Sequence, residues 1–247
     1  MLNNELVKEI LPSLRRICSQ AESCLESHWA GYITDAATQG PDAVEKRYKS
    51  FPYFGNYEDI ARLELGAMLS AEPTVPRKIS FIGSGPLPLT SLCLLDLLKR
   101  KNDSLASTIG ERVGNNQPPV LQNIDCDLGA LTHSKNLCMA LGPRAEGMEF
   151  THGMAGTAQL DLSDSDVVYT AALVGLTQED KEEIILKIGS TMRKGALLIV
   201  RSAWGLRTCL YPEVDMTSDR LLEMFEPCAV VHPYGQIVNS VFVARVR

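Results

Sequence analysis

KISFIGSG (78–85), followed at once by LPLTSLCLLDLLKR (87–100), limits what this chain can become more than any other segment. A short β-rich run, a glycine turn and a helix in direct succession form the opening unit of an open α/β sheet. The alternation then repeats. VLQNIDCD (120–127) reads as a second strand and leads into a helix through about Leu141. MEFTHG (148–153) and SDVVYTAALVG (165–175) read as the third and fourth strands. TQEDKEEIILKIGSTM (177–192) reads as a helix, with Thr177 as N-cap and Asp180 as the acid of a near capping box. GALLIVRSA (195–203) is the fifth strand, and CAVVHP (228–233) and SVFVARVR (240–247) close the chain as two more. Residues 101–118 are polar and read as a loop or frayed helix end.

Such alternation predicts a largely parallel sheet with right-handed crossovers, and the short loop between the last two strands predicts an antiparallel final pair. The expected fold class is therefore α/β: a Rossmann-like, class I methyltransferase-type doubly wound sheet. Upstream the pattern is helical. Leu2, Leu6, Ile10, Leu14 and Ile17 recur at helical spacing, Pro41 sits well at a second helix start, and Ile60, Leu63, Leu65 and Met68 mark a third helix. The two prolines of AEPTVPRK (71–78) break the pattern. The expected division is an N-terminal helical subdomain over 1–75 and the Rossmann-like domain over 76–247.

With net charge −6 and no dense Lys/Arg cluster, neither nucleic acid nor an anionic membrane surface is an expected partner. No apolar run has transmembrane length, and the N-terminus lacks the apolar stretch of a signal peptide. Seven scattered cysteines, none in a C-x-x-C pair, fit a reducing compartment, so the expected location is cytoplasmic.

Ligands of open α/β sheets bind at the carboxyl ends of the strands. There the first strand ends in Gly83, Ser84, Gly85 and Pro86. The glycines permit a tight turn and close backbone approach, although such turns also carry glycine for steric reasons alone. Asp125 stands at the tip of the second strand, where a ribose diol would be hydrogen-bonded. Asp127 could do the same or cap the next helix. No Walker A lysine follows the glycines, which removes a P-loop nucleotidase. Physical reasoning alone does not separate NAD from S-adenosylmethionine as the ligand.

FIGSGPLPLTS (81–91), DVVYTAALVG (166–175), GALLIVRSAWGLRTCLYPEVD (195–215) and HPYGQIVNSVFVAR (232–245) resemble successive blocks of the nicotianamine synthase family. FPYFGNYEDIARLE (51–64) resembles the tyrosine-rich segment that precedes them. The resemblance implies S-adenosylmethionine as co-substrate, no metal in catalysis, and transfer of an aminobutanoyl (3-amino-3-carboxypropyl) group with release of methylthioadenosine. The family joins nicotianamine synthases, which add several units, to bacterial enzymes of opine metallophore synthesis, which move one unit onto an amino acid such as histidine. The chain is shorter than plant nicotianamine synthases, so the single-transfer branch is the expectation, with an opine-forming dehydrogenase downstream.

Aminobutanoyl transfer requires an unprotonated acceptor amine. Glu64 is the expected base, the alternative being a solvated helix glutamate. Tyr53 and Tyr57 would line the same cavity, or simply pack helix on domain. Arg201 and Arg207 suit a substrate carboxylate, or surface ion pairs. His232, in the resembling C-terminal block, would face the pocket. Related enzymes often carry an acid after the third strand; here Met154 stands there, so the adenine would meet its apolar body and backbone groups. Ala171, after the fourth strand, completes the cofactor side. Two other activities fit the fold: an S-adenosylmethionine-dependent methyltransferase, or a non-enzymatic S-adenosylmethionine-binding module.

Overall fold

A computed structural model describes residues 5–109, 119–157 and 160–247. Among these residues, seven strands form one sheet: β1 (Lys78–Ile82), β2 (Val120–Asp125), β3 (Met148–His152), β4 (Val167–Thr170), β5 (Leu197–Ser202), β6 (Phe225–Val231) and β7 (Ser240–Val246). Their order is β3-β2-β1-β4-β5-β7-β6. The first five run parallel; β7 lies antiparallel between β5 and β6, with Leu197 opposite Arg245 and Phe225 opposite Val246. This is the Rossmann-like class I methyltransferase arrangement, whose strand order reverses between β1 and β4.

Among the described residues, seven α-helices accompany the sheet: α1 (Glu5–Thr34), α2 (Pro41–Lys49), α3 (Phe54–Ala71), α4 (Leu89–Ile109), α5 (Leu128–Leu141), α6 (Gln178–Thr191) and α7 (Asp219–Met224). The two-residue period of β5 divides the core. Leu197 and Ile199 join Phe81, Tyr169 and residues of α3 and α4, including Leu65, Met68 and Leu94. Leu198 and Val200 point the other way, to Ile185 and Ile188 of α6 and Leu221 of α7. A third cluster packs Ala30 and Ile33 of α1 and Val44 and Tyr48 of α2 against Leu92 of α4 and Leu137 of α5. The N-terminal helices therefore share cores with the sheet layer.

Thr177 caps α6 by accepting from the Asp180 amide at 3.1 Å, as the sequence pattern predicts. Several limits differ. α1 runs unbroken to Thr34, with Leu6, Ile10 and Ile17 on its exposed side. α4 extends to Ile109, through half of the segment expected to be loop; 110–118 lies outside the described residues. The fourth strand stops at Thr170, so AALVG becomes a loop at the sheet's carboxyl edge. The sixth begins at Phe225, earlier than the apolar run suggests.

Gly189 marks the tightest approach of α6 to the α7–β6 corner: a Cβ there would fall on Met224 Sδ and the Phe225 ring. Gly66, on the exposed side of α3, has open space around it. Gly189→Ala should therefore lower stability by about 1–3 kcal/mol through overpacking. Gly66→Ala should raise it by about 0.5–1 kcal/mol through helix propensity. Urea unfolding of the two variants beside the parent reads both.

Candidate functional site

A cavity of about 1060 Å³ opens at the carboxyl ends of β1, β2, β4 and β5, beneath α1 and α3. Its floor begins at the glycine turn. Gly83 (φ 79°) donates its amide to Ile124 O at 2.8 Å, and a Cβ there would lie 2.6 Å from Val174 Cγ2. Gly85 (φ 67°) donates to Asp125 Oδ2 at 2.9 Å, and its carbonyl accepts from Ser134 of α5. The second oxygen of Asp125 takes the Asp127 amide at 3.0 Å. Asp125 is thus fixed at the strand tip, facing the cavity. Asp127 spends Oδ1 on the amides of Gly129 and Ala130, so it caps α5 while standing at the cavity wall. Ser84 and Ser91, 8% and 1% exposed, line the cavity, and their hydroxyls have no hydrogen-bond partner among the described residues. Buried polar atoms in that state are what a ligand would satisfy.

Arg201 forms the far wall. Its Nε donates to Glu64 Oε1 at 2.6 Å, and its Nη2 to Glu64 Oε2 at 3.1 Å and Thr90 Oγ1 at 2.9 Å. The guanidinium stands 5.4 Å from the centre of the Phe81 ring. Burial opposes its charge, but the Glu64 carboxylate more than compensates and holds Arg201 above its ordinary value. Nη1 makes no hydrogen bond among the described residues and is the part left for a ligand carboxylate.

The cover supplies two acid–phenol pairs. Tyr57 of α3 donates to Glu26 Oε1 of α1 at 2.9 Å, and Tyr211 donates to Glu22 Oε1 at 2.6 Å. Burial pushes the Glu26 carboxyl up to about 8; the Tyr57 hydrogen bond and Arg201 pull down, while the charges of Glu22 and Asp125 push up. Glu22 is also raised, by burial first. Tyr57 lies well above its ordinary value, through burial and then the Glu26 charge, so it remains a donor. Glu26 nearly touches the glycine turn: a Cβ on Gly85 would lie 2.7 Å from its Oε2. Arg15 latches α1 in place by donating to Leu176 O at 3.0 Å and Thr208 O at 2.7 Å.

A model of the family described as "Nicotianamine synthase protein" matches residues 1–247. The nicotianamine synthase of Solanum lycopersicum is 35% identical over 239 residues, 97% of this chain and 68% of that protein. Nicotianamine synthase 2 of Arabidopsis thaliana is 33% identical over 99% of this chain and 69% of its own length. The chain belongs to the nicotianamine synthase family. It spans about two thirds of the length of these relatives. Among solved structures, MtNAS in complex with MTA and tNA superposes with a TM-score of 0.73 at 21% identity, covering 100% of this chain and 79% of that one. A glutamate-to-glutamine variant of MtNAS, in complex with S-adenosylmethionine, gives 0.68 at 20% identity, covering 99% and 80%. The S-adenosylmethionine-bound magnesium protoporphyrin IX methyltransferase of Synechocystis PCC 6803 gives 0.56 at 12% identity, covering 89% and 97%.

In this nicotianamine synthase family member, the glycine turn, Asp125, Asp127, Met154, Ala171, Tyr53, Tyr57 and Arg201 all line one cavity. Met154 and Tyr53 stand at its rim, 62% and 53% exposed. Three expected residues do other work. Glu64 is fully buried behind Arg201, with each oxygen accepting from the guanidinium, and is absent from the cavity lining; it holds the arginine. Arg207 donates to Pro233 O at 2.8 Å and Gly235 O at 3.2 Å. His232 pairs with Ser240 Oγ at 2.8 Å and leans on Trp204. Both brace the loop whose residues 236–239 line the cavity. Sequence reasoning missed Glu22 and Glu26. Their signal was helical phase: both continue the buried stripe of Ala30 and Ile33 backward along α1, where a carboxylate has no ordinary place.

Glu64→Gln leaves the Arg201 cation buried without its counter-charge. The variant should lose about 3–5 kcal/mol of stability in urea unfolding. Unchanged stability would mean that the guanidinium has another compensating partner.

Proposed function

We propose that this chain transfers one aminobutanoyl unit from S-adenosylmethionine to the amine of an amino acid such as histidine. The observation that carries the reading is the Glu26–Tyr57 pair, a carboxyl with a raised proton affinity aimed at the glycine turn that would hold the donor. The adenosyl ribose would meet Asp125, and a donor or acceptor carboxylate would meet Nη1 of Arg201. The methionyl γ-carbon would then lie between the glycine turn and Glu26.

The reaction asks little more of the protein. The acceptor nitrogen lone pair attacks the γ-carbon, and a C–N bond forms. The C–S bond breaks, its electron pair passing to sulfur, and neutral methylthioadenosine leaves. The proton of the acceptor nitrogen goes to Glu26. Raised to about 8, the carboxyl comes within reach of an α-amine, whose reference value is about 7.7–8.0 in chain termini and higher in a free amino acid. Narrowing that gap is what lets a carboxyl act as general base toward an amine. Tyr57 fixes the orientation of the carboxyl and shields it from water.

A second reading is condensation of several S-adenosylmethionine molecules into nicotianamine. Identity of 33–36% to plant nicotianamine synthases across nearly the whole chain favours it. Mass spectrometry of products from S-adenosylmethionine alone, and with each histidine enantiomer, separates the two. Methylthioadenosine that appears only with histidine supports single transfer; nicotianamine from the donor alone supports the second reading.

Glu26→Gln keeps the shape and removes the base. Single-turnover release of methylthioadenosine should slow by about 10²–10⁴-fold. In the parent, kcat/KM for the acceptor should rise with pH as the free carboxyl ionises near 8, and the variant should lose that limb. A variant with parental rate and parental pH profile would place the base elsewhere.

A further inference from the structure

The reaction consumes one acid–phenol pair, and the cavity holds two. Glu22 precedes Glu26 by four residues on α1, so the two residues share one helix face, their backbone positions offset by about 6 Å along the axis. Each is held by a tyrosine from a different direction, Tyr57 from α3 and Tyr211 from the segment beyond β5. Arg201 is the charged group of opposite sign that acts on both, and its charge is already committed to Glu64. Among the described residues neither carboxyl has an ion pair of its own, so a ligand bearing basic nitrogens would supply the charge partner each lacks when ionised.

The cavity shows independently that it is built for a polar ligand. Among the described residues the hydroxyls of Ser84 and Ser91, more than nine-tenths buried, have no hydrogen-bond partner. Asn239 adds a buried Nδ2 donor in the same state. It comes off the start of β7, which pairs with β5, the strand that leads to Tyr211. The two acids also differ in place. Glu26 feels the charge of Asp125 and lies against Gly85, beside the ribose position. Glu22 feels the charge of Arg201 and accepts its hydrogen bond from Tyr211, with no influence from Asp125.

We propose that Glu22 and Tyr211 form a recognition subsite for a second basic nitrogen of the acceptor, which selects amino acids carrying an imidazole or amine side chain over those with one nitrogen. This rests on the single-transfer reading above. One Glu22 oxygen is held by Tyr211, and the other is left to accept from the acceptor's second nitrogen. The α-amine is thereby placed at Glu26, one helical turn away. Glu22 is a specificity-determining residue here, and the proton of the reaction still goes to Glu26.

The test compares histidine with alanine as acceptors in the full-length parent, Glu22→Gln and Tyr211→Phe, following methylthioadenosine release. The parent should favour histidine. Glu22→Gln should raise KM for histidine by roughly 10- to 100-fold, the scale of a lost charge-assisted hydrogen bond, and lower the histidine-to-alanine ratio of kcat/KM equally. Tyr211→Phe, which keeps the carboxylate, should move the ratio in the same direction by less and guards against a folding failure of the first variant. Calorimetric affinity for S-adenosylmethionine alone should be the same in all three. An unchanged ratio in both variants, or a loss of donor affinity in place of the acceptor effect, overturns the assignment. A parent that releases no methylthioadenosine with either amino acid overturns the single-transfer reading instead.

Discussion

Glu64 and Arg201 meet where α3 crosses the carboxyl end of β5, and their ion pair joins the helical cover to the sheet. Neither residue could stand in that interior alone. An unpaired guanidinium beside the Phe81 ring, or an unpaired carboxylate at the fully buried Glu64 position, would carry several kcal/mol of desolvation. Together, with Thr90 as a further acceptor, they form a neutral unit that leaves one guanidinium nitrogen facing the cavity. The same contact fixes α3, and so fixes Tyr57, whose hydroxyl orients Glu26. The polarity of the site is therefore set by a contact behind its wall.

α1 completes the enclosure from the other side. Its C-terminal half buries Ala30 and Ile33 in a core shared with α2, α4 and α5, while Arg15 ties its middle to the loops after β4 and β5. Between these anchors, Glu22 and Glu26 have no choice but to face the cavity. Enclosure is also what raises their proton affinity, since burial is the leading cause for both. One helix thus both covers the cavity and, by burying the carboxyls, raises their proton affinity.

The fold was legible because its signals are local. Glycines after β1, strand-sized apolar runs and the Thr177 cap each announce their element within a few residues. The floor of the site was legible for the same reason: open α/β sheets place ligands at strand ends, and the Gly83–Pro86 turn and Asp125 are strand ends. The cover was not. Glu26 reaches the glycine turn, Glu22 reaches Tyr211 and Glu64 reaches Arg201 across long stretches of chain, and no spacing rule connects such pairs. Glu64 misled because an acid beside two tyrosines in a helix looks like a base. Its position on α3 turns it toward β5, and burial at 0% exposure gives it a structural partner in place of a substrate. Arg207 and His232 misled similarly: they lie near the site in sequence blocks, yet their side chains brace the loop that forms its wall.

What separates this site from an ordinary methyltransferase on the same fold is which carbon of the sulfonium faces the acceptor. S-adenosylmethionine labelled either in its methyl group or in its methionyl carbons decides this directly. If the proposed base stands against the γ-carbon, the methionyl label should pass to the acceptor and the methyl label should leave in methylthioadenosine. Methyl label found on the acceptor, with S-adenosylhomocysteine as the nucleoside product, would contradict the account.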